Sequence, residues 1–327
     1  RVVHGIRGFC VINIEAIMVA YLRQKYGVRK IAIVDTDVHH GDGTQDIFYH
    51  DPDTLYISFH QDGRTLYPGT GFPNEAGSPA ALGTNINLPL LPGTGDEGVH
   101  RLFDGIIRPI LDDFEPEIII NSAGQDNHFS DPLASMSVTA QGYARLADKL
   151  KADIAVLEGG YSVEAALPYV NTGIILAMAE MDYSNVIEPD QTGLRKQDEK
   201  CNARVDELIR QIGDLWTNRQ KLSSDALAKC GESWSRRKNI YYDEEGISEE
   251  QVETAHYCKQ CNGYLTIQTA AENTRFGSQS AFIVIVDQCT CQACRQKAYD
   301  EALKEKKTGK WQHVFVQDKS QGNIENI

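Results

Sequence analysis

Lys30-Ile31-Ala32-Ile33-Val34 runs, with its apolar side chains unbroken, into Asp35-Thr36-Asp37-Val38-His39-His40-Gly41-Asp42-Gly43. A short apolar run of this kind predicts a strand buried on both faces of a parallel sheet. The polar residues that follow then lie at the strand's carboxyl end, where open α/β sheets place their ligands. Asp35, Asp37, Asp42, His39 and His40 concentrate charge and basicity beyond the needs of a routine turn, and Gly41 and Gly43 let the backbone fold tightly. The spacing Asp37-x-His39 directs two donors the same way along an extended segment, which suits a metal ion. A charged surface turn with adventitious histidines is the plainer alternative for these residues taken alone.

The chain has 327 residues, enough for a sizeable core and more than one domain. Its hydrophobic fraction of 41% and charged fraction of 24% belong to the soluble globular class. No apolar run reaches the roughly 18 residues of a spanning helix. The stretch Gly8 to Leu22 is interrupted by Asn13 and Glu15 and does not read as a signal peptide, so no membrane partner and a cytoplasmic location are expected. A formal net charge of -14 argues against direct nucleic-acid binding, which needs a basic footprint. It would suit a cationic substrate, although solubility explains it equally well.

Past an amphipathic helix with Ala16, Ile17, Ala20 and Tyr21 on one face and a stop near Gly27, strands and helices alternate. Strands are expected at Thr54 to His60, Asn85 to Leu90, Glu117 to Ser122 and Asp153 to Glu158, with helices at Asp96 to Leu111 and Gly142 to Leu150. Gln61 to Pro79 is a Gly- and Pro-rich loop leaving the same sheet edge. Parallel strands joined by helices share one carboxyl edge. Asp37 and His39, then Asp126, then Tyr161 are therefore expected to converge there. Two carboxylates and one imidazole leave a metal coordination position open for water, the arrangement of a catalytic zinc. Tyr161, on a turn after Gly159-Gly160, can donate a hydrogen bond to a forming oxyanion. By itself it would read as an ordinary half-buried tyrosine.

Six ordered segments carry a resemblance: Gly8-Phe9-Cys10, Asp35-x-Asp37-Val38-His39-His40-Gly41-Asp42-Gly43, Tyr67-Pro68-Gly69-Thr70-Gly71, Ser122-Ala123-Gly124-x-Asp126, Asp131-Pro132-Leu133 and Glu158-Gly159-Gly160-Tyr161. Over about residues 1–180 the chain resembles the histone deacetylase and acetylpolyamine amidohydrolase family, nearest its class II-like bacterial members. The resemblance implies an arginase-deacetylase fold and hydrolysis of an N-acetyl amide on lysine or a polyamine, giving acetate and the free amine. It implies that Asp37, His39 and Asp126 hold the catalytic Zn2+, that Tyr161 polarises the acetyl carbonyl, and that Phe9, Tyr67 and Gly160 line the substrate tunnel. It further implies that Asp35 and Asp42 orient histidines, and that Asp35, Asp37, His39, Ser58 and Phe59 form a monovalent cation site for K+. A second cation site would use Phe48, Asp51 and Thr54.

One part of the family pattern is missing. A pair of adjacent histidines is expected shortly before Gly-Phe-Cys, where it carries general base and acid work. His4 is the only histidine upstream of Gly8 and has no histidine neighbour, so it receives no such role. The chain reads as N-terminally truncated, starting in mid-fold at Arg1, and as such is expected to bind zinc and turn over poorly. A non-catalytic acyl-lysine binding or scaffold protein is the competing reading. A two-metal arginase-like hydrolase would want carboxylates at Gly41 and His128 and is not expected. His128 reads instead as a rim or substrate-contacting residue.

Residues 1–182 are thus assigned to the catalytic domain and 183–250 to a charged helical connector, with Val205, Leu208, Ile209, Ile212 and Leu215 forming an apolar stripe. Residues 251–308 form a zinc ribbon with a following helix, and 309–327 a loose tail. Five of the eight cysteines fall between Cys258 and Cys294, and the two Cys-x-x-Cys pairs Cys258/Cys261 and Cys291/Cys294 are the expected ligands of a structural Zn2+. Cys289 is a spare and His256 a weaker candidate. A redox dithiol or a small recognition module is the functional alternative, and the partner of the ribbon is not specified by its sequence.

Overall fold

The computed structural model describes residues 8–273 and 277–327, so His4 lies outside the described residues. Two compact units emerge among these, one spanning Asn13–Ser223 and the other Ser224–Ile327 together with residues 8–12.

The larger unit is a five-stranded sheet in the order β3-β2-β1-β4-β5, with every neighbouring pair parallel. Helix α1 (Ile14–Tyr26) starts where the Asn13 side chain accepts the Ala16 amide and ends at the left-handed Gly27. Strand β1 (Ile31–Asp35) leads into α2 (Asp42–Phe48), then β2 (Thr54–Gln61) and β3 (Asn85–Leu90). Helix α3 (Asp96–Leu102) continues through a π-helical stretch, Phe103–Ile107, into α4 (Arg108–Phe114). There follow β4 (Ile118–Ala123), α5 (Ala140–Leu150), β5 (Ile154–Leu157), α6 (Leu167–Met178) and the long α7 (Glu199–Cys230), which runs past the unit boundary.

Strands β1, β2 and β3 are buried along their whole length; β1 reads as an unbroken apolar run up to Asp35, whereas β2 and β3 bury Ser58, His60, Asn85 and Asn87 among their apolar residues. Alternate residues of β1 feed two cores. Ala32 and Val34 join the main cluster with Leu102, Phe103 and Ile107, whereas Ile31 and Ile33 pack with Val19, Phe48 and Tyr56. The α7 stripe belongs to the main core: Val205, Leu208, Ile212 and Trp216 are buried in it, with Ile209 and Leu215 packed beside them.

The strand order reverses direction between β1 and β4, because the chain moves outward from β1 through β2 and β3 and then crosses back to β4. Loops leaving the carboxyl ends of those two strands diverge and open a crevice. Asp37 and His39 follow β1, and Asp126 follows β4.

Three expectations need correction. In α1 the face with Ile17 and Tyr21 is outward, at 57% and 51% exposure, and the inward residues are Val19 and Glu15. Glu15 is held there because its carboxylate accepts the Ser122 hydroxyl at 2.8 Å. The helical character of 183–250 ends at Cys230, since β6 (Ser233–Tyr242) and the first part of β7 (Ile247–His256) are strands. Their polar sequences alternate with a period of two, inward and outward, which a charged run conceals. Residues 309–327 are not a loose tail: they form β10 (His313–Asp318) and β11 (Asn323–Asn326).

The smaller unit is therefore more than a ribbon. Its six strands lie in the order β11-β10-β9-β8-β7-β6. Strands β6, β7, β8 (Tyr264–Asn273) and β9 (Gly277–Val286) form an antiparallel meander. Helix α8 (Gln292–Thr308) then crosses over to β10, which pairs parallel with β9, and β11 returns antiparallel. The helix packs Ala298 and Ala302 against Phe282, Val284, Val314 and Val316. Among the described residues no helix is long and apolar enough to cross a membrane.

Candidate metal centre

Asp37, His39 and Asp126 meet at the crevice between β1 and β4, with one donor atom from each lying within 4.8 Å of the others. His39 Nδ1 is 3.0 Å from Asp126 Oδ2 and 3.2 Å from Asp37 Oδ1. The remaining carboxylate valences are tied to backbone. Val38 N–H donates to Asp126 Oδ1 at 2.7 Å, His39 N–H to Asp37 Oδ1 at 2.8 Å, and Gly159 N–H to Asp37 Oδ2 at 2.9 Å. Asp126 is wholly buried, and Asp37 and His39 are partly so.

A β-carbon on Gly159 would stand 2.5 Å from Asp126 Oδ2 and 2.6 Å from Asp37 Oδ2, and one on Gly124 would stand 2.4 Å from the Asp37 Cα. Only hydrogen fits at either position. The glycine after each strand is what lets the β4 and β5 loops close on the two carboxylates.

The electrostatics match a cation site. Burial first, and then the charge on Asp37, push Asp126 up to about 7. Burial would depress His39, but its hydrogen bonds to Asp126 and Asp37 prevail and raise it to about 10. The Asp126 carboxyl and the His39 imidazole, in mutual contact, thus retain protons that a divalent ion would displace. The donor set, N and O with no sulfur, suits zinc in the open three-ligand form.

The other expected site residues are placed as follows. Tyr161 presents its ring edge-on to His39 with centroids 6.5 Å apart, and its amide donates to Asp131 Oδ2 at 2.8 Å. Gly160 packs against Gln125 and Leu167. Tyr67 lies in the loop after β2 and is 40% exposed. Asp35 and Ser58 are register partners on β1 and β2, which brings Asp35, Asp37, His39, Ser58 and Phe59 to one end of adjacent strands. The Asp35 carboxylate accepts from the Tyr56 hydroxyl at 2.7 Å and the Asp37 amide at 3.1 Å. Burial and the Asp37 charge raise its pKa well above the usual carboxylate range. Asp42 opens α2. Phe9 is 71% exposed and is grouped with the smaller unit, so it is not among the residues the larger unit brings together.

Sequence reasoning misplaced His128 and overlooked its partner. His128 is no rim residue: it is 1% exposed, and its Nε2 lies 2.8 Å from the equally buried Glu188. Glu188 also accepts the Ala140 amide, so it ties the loop of Asp126 to the start of α5. Asp131 was quoted only as part of a motif; its position, 30 residues before Tyr161, gave no sign that it anchors the Tyr161 backbone. Glu188→Ala leaves His128 buried without its acceptor and is expected to cost on the order of 3 kcal/mol, to be read as a lowered urea midpoint at unchanged slope.

His60 gives an acid limit to stability. It is fully buried between Ser58 Oγ at 2.9 Å and the Gly71 carbonyl at 3.0 Å, and burial followed by neighbouring His40 pushes it down to about 3. Below the ordinary histidine value the unfolded chain takes up a proton that the folded chain refuses. Stability is therefore complete above pH 6.5 and falls between that value and about pH 3, by up to about 1.4 kcal/mol per pH unit. Denaturant titrations across this window should show that loss, and His60→Gln should reduce the slope by about one proton.

A parallel sheet with two carboxylates and an imidazole at the carboxyl ends of its central strands has the arginase-deacetylase architecture. The histone deacetylase domain model matches residues 4–176, and the chain belongs to that family. A probable deacetylase of Archaeoglobus fulgidus is 53% identical over 192 residues, covering 56% of this chain and 53% of that protein. The acetoin utilization protein AcuC of Bacillus subtilis is 37% identical over 200 residues, covering 57% of this chain and 51% of the relative. The crystal structure of the HDA15 HD domain superposes with a TM-score of 0.57 at 31% identity, covering 68% of this chain and 61% of that one. The chain spans about half the length of the curated relatives it matches.

Proposed function

We propose that the larger unit carries the metal centre of a zinc-dependent deacetylase, which hydrolyses an N-acetyl amide on lysine or a polyamine to acetate and a free amine. The observation that carries this reading is the convergence of Asp37, His39 and Asp126, within 4.8 Å of one another, at the β1/β4 crevice. These three residues would hold the ion, and when bound it supplies Lewis acidity toward the amide carbonyl and an acidified water.

The remaining work falls to the chain's own groups. The Tyr161 hydroxyl donates to the carbonyl oxygen as negative charge develops there, and Asp131 positions its backbone through the 2.8 Å bond to the Tyr161 amide. Tyr67 and Gly160 flank the aliphatic stem of the substrate. Gly159 keeps Asp37 and Asp126 in register by donating its amide and offering no side chain. Asp35, Asp37, His39, Ser58 and Phe59 are assigned to a potassium ion behind the centre, where a cation would offset the carboxylates held unusually basic by burial.

Release of acetate from an acetyl-lysine peptide and from an acetylated polyamine tests this function. It should depend on metal and disappear with Asp126→Ala. Measured on a chain that also carries the adjacent histidine pair the family pattern places before Gly8, zinc at this site with no release from any amide would sink the hydrolase in favour of an acyl-lysine binder.

A further inference from the structure

The smaller unit holds a second cluster unrelated to the deacetylase site. Cys258 and Cys261 lie in the turn from β7 to β8; Cys291 follows β9 and caps α8, and Cys294 lies in its first turn. The meander brings the two turns to one end of the sheet, because Tyr264 pairs with both His256 and Val286. One sulfur from each of the four cysteines lies within 4.8 Å of the others.

The surrounding backbone is built for thiolates. Gln260 N–H points at Cys258 Sγ at 3.4 Å and Gly263 N–H at Cys261 Sγ at 3.3 Å. Gly263 has a φ of 76°, and a β-carbon there would lie 1.7 Å from the His256 carbonyl oxygen. The two turns are also joined by Thr290 Oγ1, which donates to the Gly263 carbonyl at 2.9 Å. Cys289, two residues before Cys291, is exposed and takes no part in the cluster.

We infer that Cys258, Cys261, Cys291 and Cys294 bind a single zinc ion as a closed four-thiolate site that pins the start of α8 to the end of the sheet. The sulfur separations select a mononuclear centre. A tetrahedron with metal-sulfur bonds of about 2.3 Å has edges of about 3.8 Å, in keeping with the spread found here. A polynuclear iron-sulfur cluster distributes its cysteines over several irons and would hold them farther apart. Four thiolates leave no open position for substrate, so the ion is structural. The unit needs such a clasp. Its two buried apolar clusters are small, one centred on β9, α8 and β10 and the other on Tyr242, Ile247 and Ala271. A core of that size gains decisively from a metal.

The full chain, loaded with cobalt in place of zinc, provides the test. Tetrahedral thiolate ligation gives intense sulfur-to-cobalt absorption in the near ultraviolet together with visible bands. These should persist in Asp126→Ala, which removes the other centre, and vanish in Cys261→Ser. Because Cys261→Ser can unfold the unit, the unsubstituted zinc form is assayed in parallel: Cys201 is buried, so of the eight thiols only Cys10, Cys230 and Cys289 should react with a disulfide reagent until a mercurial releases one zinc. Reaction of Cys258, Cys261, Cys291 and Cys294 in the metal-loaded chain, absence of the thiolate bands, or bound iron with acid-labile sulfide would each overturn the inference. Thiolate bands without metal at Asp37, His39 and Asp126 would sustain it while removing the deacetylase reading.

Discussion

Gly159→Ala is expected to abolish metal binding at Asp37, His39 and Asp126 and to lower amide hydrolysis by at least about 10²-fold, the scale of an ångström-sized displacement of reacting groups. The added methyl carbon would sit 2.5 Å and 2.6 Å from carboxylate oxygens of Asp126 and Asp37. Neither carboxylate can step aside cheaply. Asp126 is tied to the Val38 amide and Asp37 to the amides of His39 and Gly159 itself. Relief must therefore come from moving the β5 loop, which carries Tyr161, or from separating the donors. Gly43→Ala is the matched control: a β-carbon there meets nothing within 4 Å, and metal content and activity should be unchanged. Metal analysis of the two variants after identical purification distinguishes them, and equal zinc in both would show that the centre tolerates the crowding.

Tyr161→Phe is expected to lower kcat by about 10²- to 10³-fold, the usual cost of one oxyanion donor, with little change in KM and none in zinc content. The variant keeps the ring, its edge-on approach to His39 and the amide bond to Asp131, because only the hydroxyl is removed. A loss of zinc along with activity would instead make Tyr161 part of the scaffold. Asp131→Asn should weaken the same step indirectly, since it disturbs the amide that fixes the Tyr161 backbone.

The sheet and its carboxyl edge were legible because β1, buried on both faces, writes itself as an apolar run up to Asp35, and the polar residues of β2 and β3 are few enough to leave each a short strand-like stretch between turn residues. The four clustered cysteines were legible because both knuckles are local. The structure leaves Cys289 outside the group of four, as its reading as a spare expects. What escaped was long-range or disguised. Glu188 and His128 are 60 residues apart, and neither carries a motif that points to the other. Glu15 sits inward on α1 because Ser122, on a distant strand, satisfies it. Without that partner the apolar Ile17 and Tyr21 were the natural inward choice. Strands β6 and β7 were concealed by composition: Arg236 and Lys238 both pair with buried Glu253, so charged side chains fill positions where apolar ones are expected.

The separation of donors along the chain also dictates when each metal can arrive. His39 and Asp126 are 87 residues apart, and they meet only after β1 has paired with β4. Closing so long a loop is entropically costly and slow, and until it closes the local pair Asp37 and His39 offers an ion only two of its three ligands. Completion of that centre thus requires the pairing of β1 with β4. Each Cys-x-x-Cys knuckle, by contrast, presents two thiols within a single turn and can capture zinc while the meander is still assembling. If both metal assignments proposed above hold, zinc scarcity should impair assembly of the smaller unit more than that of the larger one.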